Sequence, residues 1–472
     1  MKPAAAADTV SRMSAWREEI RQQARLALPV VLVQVGLMSL NVVDNIMVGH
    51  VEGDAARQIA AVSVGGLYVW LFMGASMGIL MALDPLVAQA AGAGDHDSIA
   101  RSMQRGLLLA LLLSVPIGLI VLFVEPVLRS WGQADDVVPL AATFARWQVW
   151  SVPAFLGFVV LRQSLQALHR LRPIVLAIVV GNVVNALLDW VLIHGHLGLP
   201  ALRSEGCAIA TSLSRWLMFV LLLGTGWPAL ARYLRPVRRE AARWPLLLRQ
   251  LRLGLPIGVM YLMEMGAFAF VTVTMGSIGA TQVAGHQLTL NLASLSFMVP
   301  LGISAAASVR VGHAVGRRDH AGMRRATGVA IVAGAVTMAV FAAVFALAPR
   351  LLARCYTDDA GVIAMVALLL PVAAAFQVFD GIQIVCGGVL RGCGDLRVPM
   401  LIHLAGFWLL GIPLSLALAF RAGMGPRGLW AGLAVALAFV AAVLLLRVRW
   451  RSETLPERVR VDEAAPGEVP AP

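Results

Sequence analysis

Five carboxylates stand alone inside long apolar stretches of this chain. Glu264 is the only Asp, Glu, Lys or Arg between Leu253 and Val309, and Asp380 the only one between Ala360 and Leu390. Asp44, Asp84 and Asp189 are placed the same way in stretches 26–51, 58–94 and 173–202. A charge at mid-bilayer costs roughly 2.5–3.5 kcal/mol on insertion scales, so such groups point to the binding of cations or protons. Asn185 and Asp189 are four residues apart and share one helix face. Together with Asp44 they offer two carboxylates and an amide carbonyl, an oxygen-rich set suited to a hard cation such as Na+. The same carboxylates could carry protons, because desolvation favours the neutral form of a carboxyl group. Glu264 and Asp380 form a second acidic pair, further along the chain. Gln287 and Asn291, again four apart, and Phe376, one turn before Asp380, suggest a wall for lipophilic cations through apolar contact and cation–π attraction. Asp84, followed by Pro85 near the end of its stretch, reads as a structural or gating residue bonded to backbone or to an arginine. Arg310 reads as holding a carboxylate or carbonyls near a span end. His286, His313 and His403 read as buried hydrogen-bonding residues.

These residues need membrane-spanning helices to position them. Of 472 residues, 59% are hydrophobic and 14% charged, a balance that excludes a soluble domain and fits a polytopic membrane protein. The net charge of +12 does not point to nucleic acid, because the arginines fall in short loops between apolar spans. Four cysteines without a CxxC pair argue against a metal centre or a disulfide framework. Stretches of about 20 or more apolar residues, each able to cross ~30 Å of hydrocarbon, lie near 26–48, 59–83, 105–127, 138–161, 173–195, 206–230, 253–275, 282–309, 326–349, 361–389, 398–420 and 428–446. The second and eighth are long enough to continue past the bilayer.

The chain also repeats itself. Arg25-Leu-Ala-Leu-Pro29 returns as Arg252-Leu-Gly-Leu-Pro256, and Val87-Ala-Gln-Ala-Ala-Gly-Ala-Gly-Asp95 as Val311-Gly-His-Ala-Val-Gly-Arg-Arg-Asp319. Two halves of six spans, entering from the same side, imply parallel repeats around a central cleft. The expected class is therefore an all-α polytopic membrane protein, with twelve transmembrane helices in two six-helix pseudo-symmetric lobes. Residues 1–25 form an N-terminal segment, 26–231 the N-lobe, 232–252 a basic linker, 253–447 the C-lobe and 448–472 a disordered tail. The arginines concentrate on one side, above all in 232–252, which places both termini in the cytoplasm.

At these residues the chain resembles the multidrug and toxic compound extrusion (MATE) transporters, NorM-type branch, over about residues 20–447. The carrying segments are Asn41-Val-Val-Asp44-Asn-Ile-Met-Val-Gly49, Ala82-Leu-Asp84-Pro-Leu-Val-Ala-Gln89, Gly285-His-Gln287-Leu-Thr-Leu-Asn291 through Val309-Arg-Val-Gly312, and Leu390-Arg-Gly392-Cys-Gly-Asp395. The resemblance implies efflux of organic cations in exchange for Na+ or H+, with no other cofactor and no catalytic residues. It implies a first-lobe cation site of Asp44, Asn185 and Asp189, completed by Thr211, and a second-lobe acidic pair of Glu264 and Asp380 that binds cationic substrate or a second coupling ion. It makes Pro29 the proline of a bendable first helix. The branch carries Tyr where this chain has Phe376, which removes a hydroxyl ligand and leaves the aromatic wall. The expected setting is the plasma (inner) membrane of a bacterium. The expected partners are small organic cations and membrane lipids, with no nucleic acid and a monomeric state. Two rivals were weighed. A lipid-linked precursor flippase of related fold needs a cationic cleft, whereas the deep charges here are mainly acidic. A membrane-embedded enzyme needs a catalytic constellation that the sequence lacks.

Overall fold

The computed structural model describes residues 3–51 and 54–462. Among them every regular element is helical. In order these are α1 (Pro3–Gly49), α2 (Ala55–Leu80), α3 (Leu83–Gly92), α4 (His96–Leu122), α5 (Val124–Ser130), α6 (Val138–Val149), α7 (Val152–Ala167), α8 (Arg172–His194), α9 (Arg203–Leu234), α10 (Trp244–Ile278), α11 (Ala280–Gly316), α12 (His320–Leu347), α13 (Pro349–Arg354), α14 (Ala360–Gly392), α15 (Arg397–His403), α16 (Ile412–Leu416) and α17 (Pro426–Arg451). Eleven stretches are long and apolar enough to cross a membrane, and α6 with α7 makes a twelfth, bent by 50°. The bend falls where Pro153 opens α7, as expected of a residue that cannot donate its backbone hydrogen. The span Arg397–Arg421 widens into π-helical turns at Leu404–Gly411 and Ala417–Arg421. Pro413, which lacks an N–H, lies between them.

The internal repeat has a local physical cause. Asp95 caps α4 by accepting from Ser98 N at 3.0 Å, and Asp319 caps α12 by accepting from Gly322 N at 2.7 Å. Each cap follows a residue in the left-handed region, Gly94 at φ +70° in one half and Arg318 at φ 58° in the other. The repeated segments thus encode the same turn and helix start, with glycine in one copy sparing the steric cost that an L side chain carries there.

The chain divides into two compact units: Val35–Gly258 with Arg460–Pro472, and Met1–Gln34 with Val259–Val459. This corrects the boundaries expected at 231 and 253, because the division falls inside α1 and inside α10. Small residues explain it. A Cβ on Gly302 of α11 would stand 2.9 Å from the backbone nitrogen of Val31, so α1 before Gln34 lies tight against α11. A Cβ on Gly254 of α10 would collide with the backbone of Ile79, so α10 before Val259 lies tight against α2. Close backbone approach at small residues is how membrane helices gain packing contact.

Arg310 reinforces the first of these contacts. Its Nε and Nη2 donate to Glu19 Oε1 at 3.0 and 2.5 Å, and Nη1 donates to Gln22 Oε1. Gln23 adds a bond to the carbonyl of Ile303 at 3.2 Å. The expectation that Arg310 holds a carboxylate is met, by a partner on α1. Glu19 is buried, so Arg310→Met should destabilise the protein by about 3 kcal/mol, the usual effect of orphaning one member of a buried pair. Replacing both residues with apolar ones (Arg310→Met with Glu19→Leu) should restore most of the loss. Thermal unfolding in detergent reads both, and a single variant as stable as wild type would show that the pair carries no weight.

The ends differ from expectation. The N-terminal segment expected over 1–25 belongs to α1 from Pro3 onward. The segment expected to be disordered from 448 continues α17 to Arg451 and then returns to the 35–258 unit. There Val461 is buried and Asp462 pairs with Arg101 Nε at 2.6 Å and with the fully buried Arg105. The remainder of that expected tail, 463–472, lies outside the described residues.

Candidate functional site

Two clusters of buried polar groups stand out, one in each unit. In the 35–258 unit, α1 brings Asp44, α8 brings Asn185 and Asp189, and α9 brings Cys207 and Thr211. Asp44, Asn185, Asp189 and Thr211 are all buried, at 4% exposure or less. The four-residue spacings of Asn185 to Asp189 and of Cys207 to Thr211 put each pair on one helix face, turned toward the other helices. Thr211 Oγ1 lies 2.9 Å from both Asp44 Oδ2 and the carbonyl of Cys207, so its one proton is shared. A carboxylate oxygen of Asp44, one of Asp189 and the Cys207 sulfur lie within 4.8 Å of one another. Oxygens on opposite sides of a hard cation held at roughly 2.3–2.6 Å stand about 5 Å apart, so the spacing fits such an ion.

The polar groups of this cluster face one another, Asp44 lying against Asp189, Thr211 and Asn185. Asp44 Oδ1, both carboxylate oxygens of Asp189 and both amide atoms of Asn185 are buried without a hydrogen bond of normal geometry among the described residues. Orphaned buried polar atoms are rare and costly. A proton or a small cation would satisfy them. Beyond the acids, one turn on, Val48 and Ile193 join Val51, Val62, Phe144 and Ala208 in an apolar cluster. Cys207 itself belongs to that cluster. On the other side Arg215, one turn past Thr211, attracts Asp44 electrostatically. Its Nη1 donates to Gln148 Oε1 at 2.8 Å and Ser151 Oγ at 3.0 Å, and its guanidinium lies over Phe155 at 5.4 Å. Asp84 is buried in the first turn of α3, where the helix dipole favours a carboxylate. It is not among the residues grouped with Asp44.

In the 259–459 unit, Glu264 of α10 and Asp380 of α14 meet through Gln383. The Gln383 amide nitrogen donates to Glu264 Oε1 at 3.3 Å and to Asp380 Oδ1 at 3.2 Å. Its oxygen lies 2.9 Å from His403 Nε2, and His403 Nδ1 lies 2.8 Å from the Pro399 carbonyl. Gln383 and His403 are buried, whereas Glu264 is half-buried and reachable. Phe376 does not form the expected wall beside Asp380. It is 2% exposed and stacks on Trp430 at 5.7 Å, and Trp430 donates to His286 Nδ1 at 3.0 Å. Core packing has taken the ring. Gln287 and Asn291 share an exposed face of α11, where Asn291 bonds the Gln287 carbonyl at 3.0 Å. No hydrogen bond ties them to the acids among the described residues. Pro29 sits within α1, which continues through it in helical form.

Three residues of these clusters escaped the sequence reading: Cys207, Arg215 and Gln383. Each stands three or four residues from a residue already singled out, and helix-face spacing was the signal available. His403, read as a buried hydrogen-bonding residue, is one.

The two halves have counterparts in known proteins. The family model described as MatE matches twice, over residues 29–191 and 256–417, which supports the internal repeat. A probable multidrug resistance protein NorM of Mesorhizobium japonicum is 36% identical over 455 residues, covering 93% of this chain and 96% of that protein. The protein of the same description from Xanthomonas campestris pv. campestris is 37% identical over 449 residues, covering 93% and 95%. The crystal structure of a eukaryotic MATE transporter, AtDTX14, superposes with a TM-score of 0.85 at 24% identity, covering 92% of this chain and 96% of that one. A MOP superfamily transporter from Pyrococcus furiosus superposes at 0.83 and 22% identity, covering 93% and 96%. These two likenesses show the fold. With the match over both halves and relatives above one-third identity along nearly the whole length, the chain belongs to the MatE family of multi-pass membrane transporters.

Proposed function

We propose that the protein is a secondary antiporter that exports lipophilic organic cations in exchange for Na+ or H+ by alternating access. The observation that carries this reading is the buried cluster of Asp44, Asn185 and Asp189, two carboxyl groups held against each other away from solvent. A site built that way is at rest only when it holds a proton or a cation. Relatives of 36–37% identity described as probable multidrug resistance proteins support drug-like small molecules as the cargo, and the acidic pair supports their being cations.

In this reading the coupling ion binds Asp44, Asn185, Asp189 and Thr211, while Glu264 and Asp380 attract the organic cation. Coupling requires that each ligand favour a different conformational state, since a ligand with equal affinity for both shifts nothing. The apolar cluster around Val48 and Ile193 is the barrier that must part for the ion to enter. An inward-moving cation gains roughly 2.3 kcal/mol per charge per 100 mV of membrane potential. The basic 232–252 segment supports a bacterial inner membrane setting with both termini in the cytoplasm. The protein works as a monomer among membrane lipids.

Reconstituted into liposomes, the protein should move a fluorescent lipophilic cation when a Na+ gradient or a pH gradient is imposed. Imposing them separately identifies the coupling ion. If neither gradient moves the dye, antiport is excluded.

A further inference from the structure

The hydrogen bonds around Gln383 fix more than the position of an acidic pair. An amide oxygen only accepts and an amide nitrogen only donates. The Pro399 carbonyl only accepts, so His403 Nδ1, 2.8 Å away, carries a proton. His403 Nε2 faces the Gln383 oxygen at 2.9 Å, so it must carry a proton as well. With the amide turned this way the imidazole is a cation, and Glu264 and Asp380, which accept from the Gln383 nitrogen, can both be ionised. A half-turn of the amide reverses every role. The Gln383 oxygen then accepts from two protonated carboxyls, and its nitrogen donates to Nε2 of a neutral imidazole.

We propose that His403 is a third proton-binding group of the acidic site, and that Gln383 links its charge to that of Glu264 and Asp380 by turning its amide. The inference rests on the reading of Glu264 and Asp380 as the organic-cation site. In the first arrangement the cluster carries two negative charges and one positive. It can accept one monovalent cation and become neutral. In the second the cluster is already neutral and has no charge left to attract a cation. Passing from first to second, the carboxyls gain two protons and the imidazole gives up one, so the net uptake is one. The protons enter and leave at half-buried Glu264 and at Asp380, and Gln383 carries none. His403 therefore sets the exchange at one proton for one monovalent cation, where two carboxyls alone would exchange two.

Of the other titratable groups, Tyr261 stands about one turn before Glu264 on α10. Glu264 is the one charged residue of α10 beyond Val259, and on α14 the next is Arg391, eleven residues past Asp380. His286 is committed to Thr272 and Trp430. The segment after α15 presents the Phe407 ring to His403 at 5.9 Å, and the charges of α17 lie at its ends.

The test is the number of protons released when purified protein binds tetraphenylphosphonium, measured calorimetrically in buffers of different ionisation enthalpy near the midpoint of the pH profile. Cation and proton binding are reciprocally linked, so wild type should release one. His403→Gln and Gln383→Leu should each release two and steepen the pH dependence of the dissociation constant accordingly. A wild-type count of none or two overturns the proposal, as do variants that keep a count of one. Nitrogen-15 spectra of histidine-labelled wild type provide a readout that needs no variant. One buried histidine should be doubly protonated with the cation bound and singly protonated after release at low pH, and its absence overturns the proposal. If Glu264→Gln with Asp380→Asn leaves both affinity and proton count unchanged, the acidic pair itself is misassigned. If that variant changes them while His403→Gln does not, the relay alone fails.

Discussion

Asp44→Asn should leave the protein inserted and folded but uncouple it. The amide keeps the size of the side chain, and its oxygen can still accept from Thr211, so packing around α1, α8 and α9 is undisturbed. The charge is gone, however, and Asp189 is left as the only carboxylate of the site. Removing one charge from a buried charged contact costs 2 kcal/mol or more. That is about 30-fold or more in affinity for the coupling ion. Gradient-driven dye export should fall by at least that factor, while thermal stability stays near or above that of wild type. Export at the wild-type rate would remove Asp44 from the coupling site. Thr211→Val, which deletes one neutral donor to Asp44, should have a smaller effect in the same direction.

Glu264→Gln combined with Asp380→Asn should weaken the binding of monovalent organic cations by about 100-fold. The acidic pair and the His403 cation carry one net negative charge, and a unit charge roughly 5 Å from a cation at an effective dielectric near 20 contributes about 3 kcal/mol. Ligands of similar shape without a charge should bind the double variant and wild type alike. Titrating a cationic and a neutral dye against both proteins separates the electrostatic part from the apolar part. A cationic dye that binds the double variant as tightly as wild type would place the cargo site elsewhere.

Much of this arrangement was legible before the structure. Lone carboxylates are conspicuous against apolar surroundings, and the Asn185/Asp189 spacing fixes a shared face whatever the helix packs against. The spans were legible because hydropathy reads length directly, and the repeat because caps such as Asp95 and Asp319 recur with their turns. What stayed hidden depends on contacts distant in sequence. The division of α1 and α10 between units follows from how closely Val31 approaches Gly302 and Ile79 approaches Gly254, and nothing local to those helices signals it. Phe376 looked like a wall because it lies one turn from Asp380. Its ring is claimed by Trp430, more than fifty residues away. Gln383 was visible as a neighbour of Asp380, yet its role needs His403 from another helix, and helix-face spacing cannot supply that.

The pairing of Asp462 with Arg105 has a consequence for how the protein is made. Arg105 is fully buried within α4, and its acidic partner follows it by 357 residues. During synthesis α4 enters the bilayer long before that partner exists, and an arginine deep in a nascent helix is held only by snorkelling toward the headgroups. The guanidinium finds its counter-charge when nearly all the remaining spans have been threaded. A chain cut short in its last segment would keep every transmembrane helix and still carry an unneutralised charge in its core. The last described residues thus serve the core of a helix made near the start of the chain.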